Sequence, residues 1–204
     1  EICPADKKLY AIRDLTGTIP SFPLICSSIM SKKIAEGLDG LVMDIKVGNG
    51  AFMKNFKEAK NLGVELKKIG NSFDIDISIT YSNMSQPLGE YAGLKCEINE
   101  AVDCLKGTGP DDVTQLSVDL CANILVQSGM STNKSEAKTL LMKNIKNGKA
   151  LEKFEEMIVA QNGDLNDIYS KKYFAKNLIK IKSKKTGYIK SINTEKIGWA
   201  LVEI

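Results

Sequence analysis

Two periods of apolar residues alternate along this chain. Residues 5–14 repeat apolar positions at helical spacing, and the T-G-T-I-P run that follows holds Gly17 and Pro20, which end a helix. A second helix is predicted from Phe22 to Glu36, with Pro23 tolerated in its first turn and Gly37 closing it. Leu41–Val47 (LVMDIKV) is apolar and rich in β-branched residues, the texture of a buried strand, and GNG turns the chain after it. From Phe56 to Ile69 the period returns to 3.6, with Ala59, Leu62, Leu66 and Ile69 on one stripe. Asp74–Tyr81 (DIDISITY) alternates strictly, as a strand with one buried face does. Helices are then predicted around 98–106, 111–127, 134–146 and 149–160. Beyond residue 176 the runs shorten to NLIKIKS, GYIKSINT and GWALVEI, which predict a β-rich segment.

A strand–helix–strand order implies an α/β fold whose first strands run parallel. The expected architecture is a helical segment (1–36), an α/β portion whose mixed, partly parallel sheet is flanked by helices (37–176), and the start of a β-rich α+β domain (177–204). Ligands of such sheets gather outside the carboxyl ends of the strands, where GNGAFM (48–53) falls. GNG lacks the longer spacing of a dinucleotide fingerprint, so a plain strand-to-helix turn is the stronger reading than a phosphate cradle. Asp44 and Lys46 share a strand face, either as an ion pair or as part of a cleft.

Composition narrows the class. The chain is 43% hydrophobic and 26% charged with a net charge of +3, which is too small and too interleaved to indicate a nucleic-acid partner. Lys180, Lys182, Lys184 and Lys185 read as a solvated strand face. No apolar run reaches the ~18–20 residues that span a bilayer, so no membrane partner is expected. The five cysteines have no CxxC spacing, which argues against a metal cluster or a disulfide framework. Cys96, Cys104 and Cys121 fall in apolar helical patterns and are expected to be small buried thiols in a reduced, cytoplasmic protein.

The candidate chemistry lies in residues 10–33. Arg13 carries a planar fork of donors that is always charged, while Ser28 and Lys32 stand one helical turn apart on one face. Together they could converge on one polar, planar ligand. Read singly, Arg13 could instead pair with Asp14, Asp39 or a partner chain, and Lys32 could be a surface charge.

YAIRDLTGTIP and PLICSSIMSKKIAEGLDGLVMDIKVGNGAFM resemble the central segment of the pyrimidine nucleoside phosphorylases. MSQPLGEYAG (84–93), EAVDCLKGTGPDD (100–112), NGKALEKFEEMIVAQNGD (147–164) and TGYIKSINTEKIG (186–198) continue that likeness in order. The resemblance implies phosphorolysis: a pyrimidine nucleoside such as thymidine, uridine or deoxyuridine reacts with phosphate as co-substrate, giving the base and (deoxy)ribose 1-phosphate. It implies no organic cofactor. It makes Arg13, Ser28 and Lys32 the pyrimidine-binding residues, with Lys32 catalytic. Ile25 and Phe52 are weaker additions, and Ile25 is as well explained as core. It further implies a potassium ion held by the carbonyls of Leu88 and Tyr91 and the carboxylate of Glu100. Glu100 alone would equally be an exposed capping acid.

Two departures from the family pattern are the Glu90-Tyr91 pair, where small apolar residues are usual, and Pro20, where an acid is common. The resemblance also implies a homodimer joined through the helical segment. It implies a longer polypeptide with a glycine-rich Lys-His-Ser phosphate loop; these 204 residues contain no histidine and no such loop, and they read as an internal piece of that enzyme. A truncated homologue that binds base or dimerises is the competing reading, as is a phosphoribosyltransferase of similar architecture.

Overall fold

The computed structural model describes residues 2–170 and 179–203. The chain folds as α1 (Pro4–Leu15), α2 (Phe22–Ala35), β1 (Gly40–Val47), α3 (Phe56–Asn71), β2 (Asp76–Asn83), α4 (Leu94–Leu105), α5 (Asp111–Gln127), α6 (Lys134–Lys146), α7 (Lys149–Ala160), α8 (Leu165–Tyr169) and α9 (Thr194–Glu203). The expected α/β class holds. Among the described residues the sheet has two parallel strands, paired from Gly40↔Asp76 to Val47↔Asn83.

The core forms because the apolar stripe of α3 is laid on one face of that sheet. Ala59, Leu62 and Leu66 meet Ile45, Ile75 and Ile77, and α2 adds Cys26 and Met30. Asn55 starts α3 by accepting the Glu58 N–H at 3.0 Å. On the opposite face lies α5, whose Asn123 Nδ2 donates to Thr80 Oγ1 (3.1 Å) and whose Gln127 Nε2 donates to the Asp76 carbonyl (2.7 Å). Helices α6, α7, α4 and α8 pack outward from α5. No described helix is long and apolar enough to cross a membrane.

Three expectations change. The strand expected at Asp74–Tyr81 lies two residues later, because Asp74 takes a left-handed turn conformation (φ 57°) and Ile75 is buried before pairing begins. GWALVE (198–203) lies in helix α9, and residues 179–193 carry no strand, so the described part of the 177–204 segment is not β-rich; residues 177, 178 and 204, with the expected boundary at 176, lie outside the described residues. The Lys180–Lys185 run is accordingly exposed but not on a strand. Asn193 caps α9 by accepting the Lys196 N–H at 2.9 Å, and the Asn49 side chain docks the helix on the GNG turn through the Ile192 carbonyl and the Thr194 N–H. Finally, Cys121 is exposed and Cys96 and Cys104 are half-buried; of the five free thiols only Cys26 is buried, and burial pushes its pKa up.

Candidate active site

The two N-terminal helices fold against each other, and the sharp turn between them is tied by Arg13. Its guanidinium is 2% exposed, donating through Nη1 to the Leu24 carbonyl (3.2 Å) and through Nη2 to the Ile19 carbonyl (2.5 Å). Its Cζ lies 5.2 Å from the Tyr10 ring centre. Arg13 therefore pairs with neither Asp14 nor Asp39. The fork has five N–H donors and two are engaged; Nε is buried without a partner.

Ser28 and Lys32 meet, and a residue not singled out from the sequence joins them. Asp6 Oδ2 accepts from Lys32 Nζ at 2.6 Å and from Ser28 Oγ at 3.0 Å. Lys32 Nζ also donates to Ser28 Oγ at 2.9 Å and to the Ser28 carbonyl. Three groups from two helices thus form a closed triangle. The hydrogen bond from Lys32 holds the Asp6 carboxyl below its usual 3.8, against the opposing effect of burial, with help from Ser28 and from the Lys32 and Arg13 charges. Asp6 was overlooked because an acid in the first turn of a helix already has a bland explanation in the helix dipole. The available signal was spacing: Asp6 and Arg13 are seven residues apart, two turns along one face.

Phe52 and Ile25 are not part of this cluster. Phe52, 70% exposed, lines a separate cleft of about 560 Å³ with Pro20, Phe22, Met53, Glu58 and Glu65. Ile25 packs against the core. The GNG turn uses its own amides: Gly48 N–H bonds the Met53 carbonyl (3.1 Å), Gly50 N–H the Met84 carbonyl (2.9 Å) and Ala51 N–H the Gly48 carbonyl (3.0 Å). It is a turn and offers no phosphate cradle. Asp44 and Lys46 form an ion pair (2.6 Å), and Lys46 also donates to Ser82 Oγ at 2.9 Å.

Leu88, Tyr91 and Glu100 border one cavity of about 670 Å³, closed on another side by α9. Glu100 is 6% exposed, so it is no surface cap; its Oε1 accepts the Glu90 N–H at 2.7 Å, and Gly89 (φ 74°) lies too close to the carboxylate for any side chain. The loop thus meets this buried carboxylate through an amide N–H. Among the described residues no group of three or more His, Cys, Asp or Glu side chains could hold a metal, so such an ion would depend on main-chain oxygens.

Residues 2–151 match the glycosyl transferase family, a/b domain, and the chain belongs to that family. It is 46% identical over 201 residues to a pyrimidine-nucleoside phosphorylase of Staphylococcus epidermidis and 44% identical to one of Staphylococcus aureus, in each case over 98% of this chain. These relatives bear out the family resemblance seen in the sequence. The chain spans about half of their length (46%).

Proposed function

We propose that the full-length protein is a pyrimidine-nucleoside phosphorylase and that α1 and α2 form the pyrimidine-binding wall of its active site. Phosphate attacks C1′ of the sugar, the glycosidic bond to the ring nitrogen breaks, and the bonding pair leaves with the base. Negative charge then grows on the two ring carbonyls. Arg13 and Lys32 supply fixed positive charges for it, and fixed charges act most strongly where charge develops. Ser28 orients the ring. The observation that carries this reading is the convergence of Ser28 and Lys32 on one point of a wall that also holds the Arg13 guanidinium with donors to spare.

Three further assignments belong to the same proposal. A potassium ion sits by Leu88, Tyr91 and Glu100, supported by the shared cavity and the buried carboxylate. The helical segment is the contact of a homodimer, supported by the exposure of Leu9, Ile12 and Leu15 on α1. Five free thiols suit a reducing cytoplasm, where nucleoside salvage takes place.

The test is phosphate-dependent release of uracil or thymine from uridine or thymidine, followed by ultraviolet absorbance. Lys32→Ala should lower kcat by about 100-fold or more while the circular dichroism spectrum is kept. Absence of phosphate-dependent base release by the full-length protein would refute the proposal.

A further inference from the structure

We propose that Asp6 is a specificity-determining positioning residue: by taking the only proton of the Ser28 hydroxyl, it leaves Ser28 able to present an acceptor and no donor to the ring of the base, which selects pyrimidine-2,4-diones over 4-aminopyrimidines. The inference rests on the base-site reading above and adds a residue and a selection rule to it.

The argument is a count of protons. A hydroxyl has one proton and two lone pairs. The Ser28 proton points at Asp6 Oδ2, 3.0 Å away, and one lone pair accepts from Lys32 Nζ at 2.9 Å. One lone pair remains. The direction of the Ser28–Asp6 bond is not ambiguous, because an ionised carboxylate only accepts, and the hydrogen bond from Lys32 favours the ionised form. Lys32 has three protons, and Asp6, Ser28 Oγ and the Ser28 carbonyl each take one, so the ammonium is locked over the hydroxyl and cannot accept. Arg13, the third group on this wall, is a donor without acceptor capacity. Ser28 therefore displays a single acceptor to the ring.

The N3–H of a 2,4-dione is the complement of that acceptor. A 4-aminopyrimidine places a lone pair at N3 and donor hydrogens at the 4-position. Its N3 lone pair would then face the lone pair of Ser28, and a desolvated polar group left unpaired is what produces discrimination. Without Asp6 the hydroxyl rotor is free to turn its proton toward an N3 lone pair, and that part of the discrimination disappears.

The experiment measures inhibition of the full-length enzyme by uracil and by cytosine, in the parent and in the Asp6→Asn and Asp6→Ala variants. The uracil-over-cytosine preference should shrink by about tenfold or more in Asp6→Ala, with the KM for phosphate unchanged. Asp6→Asn preserves the shape of the site and should shrink it as well, since the amide can donate to Ser28. A preference unchanged within threefold in both variants, with uracil still weakened by Lys32→Ala, overturns the role of Asp6 alone. If Lys32→Ala and Arg13→Ala both leave uracil inhibition unchanged, the base-site reading itself falls. A merely structural Asp6 would weaken both bases in parallel, which also overturns the proposal.

Discussion

Replacing Arg13 by Lys isolates what the guanidinium fork does for the α1–α2 turn. The fork holds two carbonyls at once, those of Ile19 and Leu24, and each bond from a charged donor contributes about 1.5–3 kcal/mol. An ammonium on a flexible stem is a point donor that cannot span both. One bond should be lost, and the weakened stacking on Tyr10 adds a few tenths of a kcal/mol. The expected local destabilisation is about 2–3 kcal/mol, or roughly 30- to 150-fold in an opening equilibrium. Native-state amide hydrogen exchange reads that opening directly. The reporters are Thr18, Ser21 and Ile25, whose N–H groups bond the carbonyls of Arg13 (2.9 Å), Thr18 (3.1 Å) and Ser21 (2.9 Å). Their exchange should accelerate by that factor, while amides in β1 and β2 exchange as before. Exchange unchanged within threefold at all three sites would show that the fork does not hold the turn, and that Arg13 is buried for another reason.

Other consequences follow from single contacts. Gly48→Ala should cost about 2–5 kcal/mol, because φ is 137° there and a Cβ would lie 2.6 Å from the Ser85 nitrogen and 2.8 Å from the Met84 carbonyl carbon, neither of which can rotate away; a urea midpoint lowered by less than 1 kcal/mol equivalent would contradict it. Asp6 has a depressed pKa in the folded state, so its stabilising contribution is complete above the unfolded value of 3.8 and is lost as pH falls through the lower folded value. The stability gap between the parent and Asp6→Asn should accordingly be flat near neutrality and close in strong acid; a gap independent of pH down to 2 would count against the ion pair. Tyr169 donates its hydroxyl to Glu155, and its pKa is pushed up to about 12. Spectrophotometric titration should show a late tyrosinate step that Tyr169→Phe removes.

Most helices and both strands were legible because burial imposes a period on the sequence. Ala59, Leu62 and Leu66 must face one way if α3 is to cover a sheet, and no other spacing would do. Arg13 was legible as a residue type, and Ser28 and Lys32 as types one helical turn apart. The short apolar run GWALVEI was not, since Trp199, Ala200, Leu201 and Val202 satisfy a strand as readily as a helix. What decided it was Asn193 at the cap and the Asn49 side chain, more than 140 residues away in sequence, holding the Thr194 N–H. The state of the candidate site was likewise a tertiary matter. Arg13 could have been wholly free for a ligand, yet the fold commits two of its donors to the turn. Asp6 could have been an ordinary helix-start acid, yet the crossing of α1 over α2 brings it to Ser28 and Lys32, 22 and 26 residues further on. Periodicity reports which side of an element is buried. Which donor meets which acceptor depends on how two elements cross, and that is settled only when the whole core has packed.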